Sequence, residues 1–157
     1  MRRLLPAAPL LALLLSACAG TDAVSTMQPP GYLRDAPDVV AGTDWSNPDT
    51  VTVRLENYAF NPDELTFLRD RATRLVLVNT TENDHSFEAK AFFQGIAVKQ
   101  LVGPDGALTA PWVEKVAVPA GQTKELWFVP ARYGAFHFEC GVVGHSALGM
   151  HGLINVQ

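Results

Sequence analysis

The stretch FECGVVGHSALGM, residues 138–150, decides how the chain is interpreted. It places Cys140, His145 and Met150 at five-residue intervals, with glycines between them. A thiolate, an imidazole and a thioether form a donor set suited to copper. Because glycine adopts left-handed conformations at little steric cost, the segment can turn back and bring the three side chains together. The spacing predicts a metal site, and burial of Cys and Met in an ordinary core is the alternative.

Short β-type runs separated by turn residues make up most of the chain. TVTVRLEN (50–57) alternates apolar and polar residues, and RLVLVNT (74–80) is apolar on both faces, as in a central strand. GAFHFEC (134–140) alternates again, which puts Cys140 on the core side and His137 on the opposite side. These runs predict an all-β fold, an antiparallel β-sandwich of the Greek-key kind.

The segment 88–112 departs from this pattern. We expect one short helical or irregular insertion there, with a helical turn or short helix up to about Gln94. GPDG at 103–106 is a turn signal. The remainder of the segment receives no assignment from its pattern.

The chain opens with MRRLLPAAPLLALLLSACAG, two arginines followed by an apolar stretch and small residues. That order is typical of a secretory signal, and the apolar run is too short to span a bilayer stably. The ending Leu15–Cys18 resembles the lipobox of a bacterial lipoprotein, which implies cleavage before Cys18 and a lipid on that cysteine. An ordinary secretory signal or an uncut anchor is the alternative. We therefore expect a periplasmic or otherwise extracytoplasmic protein held at the membrane by lipid.

These features divide the chain into a lipoprotein signal peptide (1–17), a flexible tether (18–48) and one domain (49–157). The tether is rich in Pro, Gly, Ala and Asp and lacks a sustained period. Side chains that can still pin parts of it against the domain are Tyr32, Leu33 and Trp45.

The cysteine count supports a metal site. The chain has two cysteines, which in an exported protein would normally form one disulfide. If Cys18 carries lipid, Cys140 has no partner in an oxidising compartment. A bound metal ion would occupy that thiol.

Composition and charge exclude other classes of function. The apolar fraction of 48% and the charged fraction of 18% are ordinary for a globular protein. The net charge of −4 and the lack of a basic cluster argue against nucleic-acid binding. The sequence contains no GxGxxG, Walker or GxSxG motif for nucleotide or hydrolase chemistry.

A second imidazole would complete a His₂Cys site with a weak axial methionine, as in blue-copper electron carriers. His85 is the best candidate, because it follows the apolar strand 74–80 after a polar turn. The stretches NYAFNPDELTF, VNTTENDHSFEA and GAFHFECGVVGHSALGMHGLINV together resemble a single-domain cupredoxin of the plastocyanin, azurin and rusticyanin superfamily. The resemblance covers about residues 50–157.

The resemblance implies one type 1 copper ion. Carried over position by position, it makes the copper ligands His85, Cys140, His145 and Met150. It also makes Ser86 a candidate to hydrogen-bond across to the cysteine loop. A copper-free cupredoxin-like domain is the alternative. His151 directly follows Met150, and strand alternation predicts that it points away from the metal, although it is a second candidate for the axial position.

The resemblance further implies a carrier of single electrons rather than an enzyme. His145 would be the electron port, with Val142, Val143, Ala147 and Leu148 either forming an apolar docking patch or lying buried. The expected partners are redox proteins such as a cytochrome, an oxidase or a reductase, and we expect a monomer. A second copper site of the oxidase or nitrite reductase kind would need more histidines than the four present. Copper storage or delivery in the cell envelope is the alternative function.

Overall fold

The computed structural model describes residues 28–157. The predicted signal peptide, Cys18 and residues 19–27 lie outside the described residues. Eleven strands are present in this part of the chain: β1 Asp49–Glu56, β2 Ala59–Asn61, β3 Glu64–Phe67, β4 Thr73–Asn79, β5 His85–Glu88, β6 Ile96–Gly103, β7 Gly106–Leu108, β8 Lys115–Val118, β9 Thr123–Pro130, β10 Gly134–Glu139 and β11 His151–Val156. The helical elements are α1 Ala36–Gly42, α2 Lys90–Phe93 and a 3-10 turn at Ser146–Leu148. Within residues 28–157, the helices are all too short or too polar to cross a membrane.

The strands form two sheets that face each other. The six-stranded sheet has the order β2-β1-β4-β9-β6-β7, and the five-stranded sheet has the order β3-β11-β10-β5-β8. The all-β sandwich predicted from the sequence is confirmed. Both sheets are mixed, because β1 pairs with β4 and β3 with β11 in parallel. Parallel neighbours need a crossover, and the chain from β1 to β4 passes through β3 in the opposite sheet.

Alternating burial explains why these segments are strands. Every second residue of β4 and of β11 is buried and faces the opposite sheet. The rings of Phe87 and Phe138 stack at a centroid distance of 4.7 Å, and Phe60 packs edge-on to Phe138 at 4.9 Å. Burial of each such ring contributes about 1.5–3 kcal/mol. Phe138 of this cluster lies two residues before Cys140, and both side chains are buried in the core.

The segment 88–112 begins with the predicted short helix, α2. Residues 96–108 are regular, because β6 pairs with β9 along its length and β7 pairs back on β6. Residues 109–112 form neither helix nor strand. β6 starts with three consecutive buried residues and has a register shift between Val98 and Gln100. A strand without clean alternation gives no period-2 signal, which is why the sequence left it unassigned.

Part of the predicted tether contacts the sandwich. Ala36 of α1 is buried against Ala97 and Val129 on the outer side of the six-stranded sheet. The Tyr32 hydroxyl donates a hydrogen bond of 3.0 Å to the carbonyl of Val113. The Trp45 indole lies against Trp127, with centroids 6.4 Å apart. Leu33 also packs against the Ala36 cluster. Residues 28–48 therefore include a docked segment, held by all three side chains that the sequence indicated.

Candidate metal centre

Three donor side chains converge at one end of the sandwich. His85 is the first residue of β5, while Cys140 and His145 lie in the loop between β10 and β11. The donor atoms of the three lie within 4.8 Å of one another, and no other such cluster of His, Cys, Asp or Glu occurs among residues 28–157. Cys140 Sγ is 3.9 Å from Nδ1 of His85 and 3.6 Å from Nδ1 of His145. Since metal–donor bonds are about 2.0–2.3 Å long, one ion fits between these atoms.

Backbone hydrogen bonds close the β10–β11 loop around this point. The Cys140 N–H donates to the carbonyl of Met150 at 3.0 Å, and the Met150 N–H donates to the carbonyl of His145 at 3.0 Å. Gly149 has a φ of 106°, which a glycine adopts without strain. Met150 is buried in the same core cluster as Cys140. The loop therefore brings the thioether residue next to the thiol, as its glycine-punctuated spacing predicts.

A series of hydrogen bonds that the sequence did not reveal sets the orientation of the His85 ring. His85 Nε2 lies 3.1 Å from the hydroxyl of Thr81, and that hydroxyl lies 2.8 Å from Oδ1 of Asn79. Asn79 is buried, and its amide donates to the carbonyl of Val118 at 2.9 Å. A proton on Nε2 that is donated to Thr81 leaves the Nδ1 lone pair free towards Cys140. The polar run after β4 indicated only a turn, so its hydrogen bonds to His85 were missed.

The environment of His85 favours the neutral imidazole. Burial lowers the pKa of His85 from its ordinary value of 6.5. The neighbouring His145 lowers that pKa further, whereas Asp84 acts in the opposite direction. A neutral imidazole is the form that coordinates a metal ion.

Ser86 connects β5 to the β10–β11 loop. Its N–H donates to Cys140 Sγ at 3.4 Å, and its hydroxyl accepts a hydrogen bond of 2.8 Å from the N–H of Gly141. The hydroxyl in turn donates to Glu88 Oε1 at 3.1 Å. The sequence pointed to Ser86 but gave no sign of Glu88, because nothing in HSFE indicates that the carboxylate turns towards the cysteine loop.

His145 marks the surface of the centre. Its ring is half-buried and meets the ring of Tyr58 edge-on, with centroids 5.1 Å apart. Around it, Val143 is 97% exposed and Leu148 63% exposed. Ala147 is also exposed, whereas Val142 is half-buried and packs against the core. An apolar surface therefore surrounds the one histidine of the cluster that reaches solvent.

The other two histidines lie apart from the cluster. His151 and His137 are exposed on β11 and β10, on the side opposite to Met150 and Cys140. Both line an open groove of about 970 Å³ together with Glu139. Strand alternation predicted this orientation for both.

A two-sheet sandwich with this donor set at one end is the fold of the cupredoxins, and the site fits one type 1 copper ion. Within residues 28–157, Cys140 has no disulfide partner, and it is buried between two imidazoles. A thiolate with two imidazoles and a thioether is the ligand set of blue-copper electron-transfer sites.

Solved structures agree with this fold. Auracyanin B is 20% identical, with a TM-score of 0.50 over 73% of this chain and 94% of that one. The auracyanin of the photosynthetic bacterium Roseiflexus castenholzii is 18% identical, with a TM-score of 0.50 over 71% of this chain and 99% of that one. A multi-copper oxidase from Pseudomonas thermotolerans is 17% identical, with a TM-score of 0.60 over 73% of this chain. The chain spans only 31% of that oxidase.

Sequence comparisons add nothing to the fold likeness. No protein-family model matches the chain. No curated protein sequence matches it either.

Proposed function

We propose that this chain is a type 1 copper protein that carries single electrons between redox partners and turns over no substrate itself. The observation that carries the proposal is the convergence of His85, Cys140 and His145 within 4.8 Å at one end of the sandwich. When bound there, copper would supply one-electron chemistry between Cu(I) and Cu(II), with a potential tuned by the axial ligand and the surrounding shell.

The chain contributes a rigid and dry set of donors. His85 lies on a strand and is held from behind by Thr81, while Cys140 and Met150 are tied to each other through the backbone. Cys140 and Met150 are buried, which keeps water away from the sulfur donors. Because these contacts restrain the donor atoms, the donors move little when the charge of the ion changes. A small rearrangement favours rapid electron exchange.

The exposed surface at His145 supports exchange with other proteins. His145 is the cluster residue nearest to solvent, and Val143 and Leu148 flank it. Exposed apolar side chains grouped at a functional centre favour contact with a partner protein. We propose that a cytochrome, an oxidase or a reductase contacts the chain here, and that the chain acts as a monomer.

The location remains a proposal from the sequence. The N-terminal pattern supports export, cleavage before Cys18 and lipid attachment at that residue. The protein would then work at the outer side of the cytoplasmic membrane or in the periplasm, anchored through its N-terminus.

Retention of copper during repeated reduction and oxidation distinguishes an electron carrier from a copper-delivery protein. The copper-loaded protein is reduced and reoxidised repeatedly with a soluble one-electron mediator, in the presence of a Cu(I) chelator. A carrier completes many cycles without losing copper, because its sulfur donors are buried. Transfer of copper to the chelator within a few cycles would favour delivery, and consumption of oxygen or nitrite by the reduced protein would favour an enzyme.

A further inference from the structure

Glu88 contacts the β10–β11 loop, and the proposed function gives this residue no role. It is the last residue of β5, and its side chain is half-buried. Its carboxylate occupies the space beside Gly141, where a Cβ built on that glycine would overlap the carboxylate atoms. The residue after Cys140 is therefore a glycine at a position where any larger residue would displace Glu88.

The hydrogen bonds around Ser86 have a defined direction. The Gly141 N–H can only donate, so Ser86 Oγ accepts from it at 2.8 Å. The Ser86 hydroxyl then gives its single proton to Glu88 Oε1 at 3.1 Å. The carboxylate thus orients the hydroxyl that holds the backbone next to Cys140.

We propose that Glu88 is a positioning residue for the copper centre: through Ser86 it fixes the backbone at Gly141, and it holds a negative charge beside the thiolate loop. This inference rests on the proposed function, because it assigns Glu88 a part in tuning the same site. Among residues 28–157, no lysine or arginine forms an ion pair with Glu88. Glu88 therefore has no direct ion-pair partner in this part of the chain, although Lys115 lies opposite it on β8. A negative charge beside the loop favours the more highly charged Cu(II) state.

Two substitutions separate the hydrogen bond from the charge. Glu88→Gln keeps an oxygen acceptor for Ser86 and removes the charge, whereas Glu88→Ala removes both. Glu114→Gln is the control, because Glu114 is an exposed carboxylate on the same groove. We expect Glu88→Gln to raise the ratio of Cu(I) to Cu(II) affinity about tenfold over the control, or about 59 mV for one electron.

The copper-free protein gives a readout that does not depend on the metal. Glu88→Ala is expected to speed hydrogen exchange at the Gly141 amide about tenfold, since the hydroxyl loses its charged acceptor. Glu88→Gln is expected to leave that exchange near the parent value. In a Ser86→Ala background, Glu88→Ala should change the exchange rate no further, because the coupling runs through the hydroxyl.

The outcomes of these measurements are distinct. A blue protein whose potential responds to Glu88→Gln no more than to Glu114→Gln contradicts the inference and leaves the proposed function intact. Unchanged exchange at Gly141 in Glu88→Ala contradicts it as well. A chain that binds no copper contradicts the proposed function, while the exchange measurements still test the positioning of the loop.

Discussion

At the scale of single residues, His85 is the predicted ligand whose ring is held by a chain of hydrogen bonds. Its Nδ1 faces the thiol of Cys140, and its Nε2 faces the hydroxyl of Thr81. Thr81 is in turn held by the buried Asn79. Such outer partners fix the ring orientation and the tautomer of a ligating histidine.

Removing the Thr81 hydroxyl should weaken copper binding. We expect Thr81→Val to lower copper affinity by about 10–100-fold, since the imidazole loses the acceptor that fixes its tautomer. Thr81→Ser keeps the hydroxyl and should retain most of the affinity. The measurements are competition titration with a chelator and the nitrogen NMR shifts of His85 in the copper-free protein. Equal affinity for the Val and Ser variants would show that Thr81 does not position the ring.

The pH dependence of the copper-free protein follows from the same histidine. Burial lowers the pKa of His85 in the folded protein below 6.5, so the unfolded chain binds the extra proton first as pH falls. The contribution of His85 to stability is therefore fully present above pH 6.5 and is lost as pH drops through 6.5 towards the folded pKa. Denaturant midpoints measured across this range should show the decline in the parent and in His137→Gln, but a smaller decline in His85→Gln. A parent and a His85→Gln variant with the same slope would rule out this origin.

At the scale of elements, the β10–β11 loop supplies three of the four predicted ligands. Its backbone bonds tie Cys140 to Met150 and Met150 to His145. The docked helix α1 lies elsewhere, against β6 and β9 on the outer side of the six-stranded sheet. The two elements are therefore expected to respond independently to substitution.

A charge beneath α1 should lower stability and leave the copper centre unchanged. We expect Ala36→Asp to reduce the free energy of unfolding by roughly 1–3 kcal/mol. The loss is no larger because α1 can detach from the sheet and expose the charge to water. Ala41→Asp is the matched control, because Ala41 is exposed on the same helix. Thermal unfolding and the visible spectrum of the copper-loaded protein are the two measurements. A variant that unfolds normally but loses its visible spectrum would contradict this separation.

Much of the element pattern could be predicted from the sequence. The strands with clean alternation, such as β1 and β10, were predicted because one face is buried. β6 was not, since its buried residues run consecutively and its register shifts. The parallel pairs were also missed, because local alternation says nothing about crossovers between sheets.

At the scale of the whole molecule, the predicted ligands come from two distant parts of the sequence. Cys140, His145 and Met150 could be found from one glycine-rich loop, and His85 from its place after an apolar strand. Thr81 and Glu88 could not, since their roles come from contacts made only when the loops close on one another. The sequence thus reveals donors more readily than the groups that orient them.

The proposed membrane attachment is tested on the full-length chain. We expect Cys18→Ser to move the protein from the membrane fraction to the soluble fraction, because the proposed lipid would be attached to that cysteine. Cys140→Ser, the same substitution within the domain, should leave attachment unchanged. Fractionation and intact mass of the mature protein test both variants. A mature parent protein whose intact mass shows no lipid at Cys18 would contradict the lipid anchor.

The central claim is that the sulfur of Cys140 bonds directly to copper. The most direct measurement is the visible spectrum of the purified protein as Cu(II) is added, compared with that of Cys140→Ser. The account predicts an intense absorption band that saturates at one equivalent in the parent and is absent from the variant. A parent that takes up no copper, or a band that persists without the Cys140 sulfur, would contradict it.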